Sequence, residues 1–88
     1  MAKFIAVHTV PPGAVTREQV NELAQAAQQD SAVRGYRSFL NLSEGKLVCV
    51  MEAADRGTVA AWFDRVGVPY DSITRVEWEG EGGRIEAA

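Results

Sequence analysis

One histidine and one cysteine, His8 and Cys49, carry whatever nitrogen or sulfur chemistry this chain can perform. His8 stands inside an apolar run, Phe4-Ile5-Ala6-Val7-His8. A neutral imidazole there suits either metal ligation or proton transfer near neutral pH; the plainer role is a hydrogen-bonded histidine at a strand end. Cys49 as a thiolate is a soft-metal ligand, while as a thiol it packs like a small hydrophobe. Glu52 closes the second apolar run and offers a carboxylate donor, or else a charge favourable to the helix that starts after it. Tyr36 and Arg37 supply a phenol and a guanidinium able to orient an anionic ligand. Side chains alternate along a strand, so at most one of that pair lines a given pocket. The same rule sends Cys49 and Glu52 to opposite faces unless a bulge intervenes. In a catalytic arrangement, His8 is the general base and Tyr36 or Arg37 steadies a developing oxyanion.

Other chemistry is not encoded. Paired histidine or cysteine spacing for structural zinc is missing, as are a serine–histidine–carboxylate set and a phosphate-cradling glycine loop. Gly80-Glu81-Gly82-Gly83 lacks the following helix that a dinucleotide fingerprint requires.

The elements that must position these residues follow from pattern. Phe4–Val10 is apolar on both parities, which marks a central strand buried on both sides, and Pro11-Pro12-Gly13 ends it. Thr16 and Gln19 form a capping box. Behind them Val20, Leu23, Ala24 and Ala27 make one apolar helical stripe, ending near Asp30. A strand over Tyr36–Leu42, a turn at Ser43–Lys46 and a strand over Leu47–Ala53 make a hairpin. Asp55 caps a second helix with the stripe Val59, Trp62, Phe63 and Val66, which Gly67 terminates. The last strand is Ser72–Glu79, and residues 80–88 read as a flexible tail. The order predicts an α+β domain over residues 1–79, ferredoxin-like βαββαβ, with a four-stranded antiparallel sheet and two helices on one face.

The chain has 88 residues, one domain's worth, with 47% apolar residues and a formal charge of −3. That charge, without a basic cluster, argues against nucleic acid as a partner. No run approaches the roughly 18 apolar residues of a membrane span, and the N-terminus lacks the pattern of a secretory leader. One cysteine forms no intrachain disulfide, so the expected location is cytoplasmic. Two helices hide one side of the sheet, yet the central strands are apolar on both. A homodimer packed sheet to sheet solves this, and the space between the sheets is then the expected pocket.

The stretches Phe4-Ile5-Ala6-Val7-His8-Thr9, Tyr36-Arg37, Leu47-Val48-Cys49-Val50-Met51-Glu52-Ala53 and Ile73-Thr74-Arg75-Val76 resemble small bacterial ferredoxin-like domains typified by a nickel-binding protein. The resemblance spans residues 3–79. It implies a homodimer that binds a divalent metal such as nickel, with His8 matching the family's strand histidine and Cys49 and Glu52 its Cys-x-x-Glu-Ala stretch. One departure stands out: relatives often carry histidines late in the second helix, and Phe63 occupies such a position here. The leading expectation is a non-enzymatic metal-binding homodimer. Its rival is a cofactor-independent enzyme or ligand-binding module of the dimeric α+β barrel type.

Overall fold

A computed structural model describes residues 1–88. Its elements are β1 (Ala2–Thr9), α1 (Arg17–Gln29), β2 (Val33–Asn41), β3 (Lys46–Ala53), α2 (Arg56–Val66), β4 (Ser72–Arg75), β5 (Trp78–Glu81) and β6 (Arg84–Ala87). The first, second, third and fourth strands form one sheet in the order β2-β3-β1-β4, with every neighbouring pair antiparallel. The two strands richest in apolar residues on both parities, β1 and β3, are therefore central.

Local chemistry sets the element ends. The Thr16 hydroxyl accepts from the Gln19 backbone N–H, and the Gln19 side chain accepts from the Thr16 N–H, so both halves of the capping box are present. Asp55 caps α2 by accepting from the Thr58 N–H and hydroxyl. Gly67 takes the left-handed conformation that ends it, at φ 74°. Past α1, the Asp30 carboxylate accepts from the backbone of Ala32 and Val33. This turn starts β2 at Val33, three residues before the expected Tyr36, with Val33 itself buried.

In β1, Phe4, Ala6 and His8 point into the core, opposite Met51, Cys49 and Leu47 of β3. Val59, Trp62 and Phe63 of α2 and Ala27 of α1 join the same cluster, so both helices cover one face. Each large side chain buried there contributes about 1.5–3 kcal/mol. The two helices are seated differently. The stripe of α2 is sunk into the core, whereas Ala27 is the one buried residue of α1; Val20 and Leu23 are half-buried and Ala24 is exposed. Thus α1 stands partly off the sheet.

The opposite face has no helix over it. Ile5, Val7, Val48 and Val50 are half-buried there, and Phe39 is 60% exposed.

Two expectations change at the C-terminus. β4 stops at Arg75 instead of Glu79, and residues 78–87 form the separate β5–β6 hairpin in place of a flexible tail. Glycines at 82 and 83 adopt positive φ and allow its tight turn. Glu79 ties the hairpin back: Lys3 Nζ lies 2.6 Å from its carboxylate, the Tyr36 hydroxyl donates to it, and Lys3 sits 4.1 Å above the Tyr36 ring.

Candidate functional site

His8 is buried to 1% exposure on the helix side of β1. Its Nδ1 lies 2.8 Å from the Pro69 carbonyl oxygen, which can only accept, so Nδ1 carries a proton and donates. In the neutral ring that leaves Nε2 as a bare acceptor. Nε2 is buried and has no protein partner. The Phe63 ring meets the imidazole edge-on, with centroids 4.7 Å apart.

Beside His8 a cavity of about 510 Å³ opens between α1 and the sheet. Its walls are mainly apolar and include Val20, Leu23, Leu47, Met51 and Trp62. The half-raised seating of α1 produces it: Ala27 is sunk in the core and Leu23 packs against it, while Val20 and Ala24 at the other positions of the stripe stay outside the cluster. The cavity therefore lies within one chain, under the helices, not on the helix-free face where the sequence reading placed a pocket between two sheets. Both parities of β1 are apolar, so composition could not say which side His8 takes. Alternation from Phe4 and Ala6 is the signal that does.

The other chemical residues divide between the two faces. Cys49 lines the same cavity. Burial pushes its thiol above the usual range, offset in part by a hydrogen bond with Ser38, so it is held away from the thiolate a soft metal wants. Glu52 pairs with Lys3 in an unbroken register and points to the opposite face. No three histidine, cysteine or carboxylate side chains gather in a way that could hold a metal ion. His8, Cys49 and Glu52 therefore do not fit one ion within a single chain.

Tyr36 and Arg37 depart from simple alternation. Tyr36 is the extra residue in a bulge between Gly35, opposite Met51, and Arg37, opposite Val50. The bulge turns both polar ends toward the helix-free side, where the Tyr36 hydroxyl donates to Glu79 and the Arg37 charge also acts on Glu79. Although both residues border the cavity, the Tyr36 hydroxyl serves the hairpin and Arg37 lies on the helix-free side, so the arrangement does not bring their polar ends to His8. Hydrogen bonds from Lys3, then Tyr36, hold the Glu79 carboxyl below its ordinary range. The same bonds hold Lys3 and Tyr36 above theirs.

Several site residues escaped the sequence reading. Pro69 acts through its carbonyl, which no side-chain pattern reports. Leu23 and Val20 read as core residues and become cavity wall.

A solved structure shares this fold. The crystal structure of SCO4226 from Streptomyces coelicolor A3(2) superposes with a TM-score of 0.76 at 24% identity, covering 90% of this chain and all of that one. No curated protein sequence matches. Residues 4–76 match the family model described as nickel responsive protein SCO4226-like. Most of the chain lies within that match, and the protein belongs to the SCO4226-like nickel-responsive family.

Proposed function

We propose that this protein is a non-enzymatic binder of a small, largely apolar molecule, held between α1 and the sheet and read by His8. One observation carries the reading: a fully buried Nε2, its tautomer set by Pro69, without a partner beside an apolar cavity. Nearly all buried polar atoms have a hydrogen-bond partner; this orphan acceptor belongs to a residue that borders the cavity, and a small shift of the ring or its neighbours would present it to an occupant. Binding is favoured over catalysis because, of the residues expected to assist a base, Tyr36 donates to Glu79 and Arg37 stands opposite Val50 on the helix-free side.

The test uses N-phenyl-1-naphthylamine, a neutral fluorophore that brightens in apolar surroundings. Wild-type protein is expected to bind it saturably. Leu23→Trp, which fills the cavity from α1, is expected to abolish the signal while keeping the fold. A signal equal in both proteins would sink the reading.

Nickel binding is the second reading, favoured by the family to which the chain belongs. His8 has the arrangement common among metal-bound histidines, one ring nitrogen donating to a carbonyl and the other bare. Cys49 is held towards its protonated form and Glu52 faces away, so one chain offers one ready donor. Calorimetry with nickel on wild type and His8→Ala checks this; tight binding lost in the variant would restore the metal reading.

The wider assembly is part of the proposal. We take the fold as ferredoxin-like and the working state as a cytoplasmic homodimer joined through the helix-free faces. Supporting this are the strand order, the uncovered Phe39 with its aliphatic neighbours, and the single free cysteine. No helix is long and apolar enough to cross a membrane.

A further inference from the structure

Resting on the cavity reading above, we infer the chemical class of its ligand: a neutral, mostly hydrocarbon molecule with one strong hydrogen-bond donor, a phenol or an alcohol. The hydroxyl donates to His8 Nε2 and the hydrocarbon fills the space under α1.

The argument is an inventory of what the cavity can still bond. Two exposed glutamines border it, where solvent satisfies what protein does not: the Gln19 oxygen accepts from the Thr16 N–H, and the Gln28 nitrogen donates to the Gly35 carbonyl at 3.2 Å. Cys49 is engaged with Ser38. Tyr36 donates to Glu79. His8 Nδ1 is taken by Pro69. The one buried side-chain polar atom left unmatched is an acceptor, Nε2, and a single buried acceptor selects a single donor.

Charge selects further. Arg37, the one cationic residue bordering the cavity, stands opposite Val50 on the helix-free side of the sheet, and Lys3 is paired with Glu79. A carboxylate ligand would lose its water against Val20, Leu23, Leu47 and Met51 with no cation on the helix side of the sheet to receive it. A thioether or plain hydrocarbon would leave Nε2 unpaired. A volume of about 510 Å³ lies in the usual range for small organic ligands, with room for an aromatic ring bearing a short alkyl chain.

Four probes differing in one group decide the matter by calorimetry on the wild-type protein: 4-propylphenol, its methyl ether, propylbenzene and 4-propylbenzoate. The phenol is expected to bind about tenfold more tightly than the ether and the hydrocarbon, the worth of one hydrogen bond to a buried acceptor. Nitrogen NMR adds a direct reading, because His8 is the only histidine. The phenol is expected to shift the Nε2 resonance and leave Nδ1 nearly unmoved. In His8→Phe the phenol is expected to lose its advantage over propylbenzene; the wild-type probe series stands alone should that variant not fold. Equal affinities for phenol, ether and hydrocarbon would overturn the donor class while leaving the cavity a binding site. Tightest binding of the benzoate would overturn neutrality. Failure of all four would remove the binding reading itself, and this inference with it.

Discussion

His8 and Phe63 together decide what the buried imidazole can do. Their rings meet edge-on, so the residue touching His8 is a hydrocarbon and not a second nitrogen donor. Phe63→His is expected to bind nickel more tightly than wild type, measured by calorimetry, at a stability cost of about 0.5–3 kcal/mol. A variant no tighter than wild type would show that position 63 does not complete a site. At this scale the sequence exposed the chemical inventory and concealed its directions. His8, Cys49, Glu52, Tyr36 and Arg37 were visible as types. That Tyr36 and Arg37 share a destination depended on a one-residue bulge, for which Gly35-Tyr36-Arg37 carries no distinctive signature. That Pro69 fixes a tautomer depended on a backbone carbonyl 61 positions away.

At the scale of elements, the β2–β3 turn and the loop after β1 lock together through Gly45. Its φ is +73°, and a methyl group there would stand 2.0 Å from the Val10 carbonyl oxygen. Gly45→Ala is expected to cost at least the 1–3 kcal/mol or so of a strained left-handed residue, read as a lower urea midpoint. An unchanged midpoint would mean that the two segments yield freely. The C-terminal hairpin makes a second prediction through Glu79. Its carboxyl is held low, so this contribution is present above the ordinary carboxylate range and fades as pH falls through the depressed folded value. Lys3 is held high, so its share persists at neutral pH and fades only as strong base removes its proton. Proteolysis within residues 78–87 is therefore expected to quicken in acid, and Glu79→Gln to quicken it already at neutral pH. Equal cleavage of wild type and variant would show that the clasp does not hold the hairpin. Caps and stripes were legible because each is written in contiguous residues: Thr16 with Gln19, Asp55 with Thr58, Val59 with Trp62 and Phe63. The hairpin was not, because its glycines and acids have the composition of a loose tail and its anchor, Lys3, lies at the other end of the chain.

For the whole molecule, the helix-free face carries the proposed self-association. Phe39→Glu places a charge on the edge strand without disturbing the core beneath the helices. The variant is expected to run as a folded monomer by light scattering at concentrations where wild type is a dimer. A wild-type monomer at tens of micromolar would dismiss the dimer, as would an unaffected variant. The two-sided apolar character of β1 and β3 signalled that they are the central strands. It did not signal that one helix would seat only part of its stripe, because Val20, Leu23, Ala24 and Ala27 have the same spacing in a helix fully sunk as in one half raised.

That half-raised helix has a consequence in time as well as in space. An element with little anchorage opens on its own at a smaller free-energy cost than the sheet beneath it. Amide protons of α1 are therefore expected to exchange with deuterium sooner than those of β1, β3 and α2, and saturating phenol to slow α1 selectively. Entry into the cavity would then be paced by the breathing of this helix, so that ligands of very different affinity share one arrival rate and differ in how long they stay.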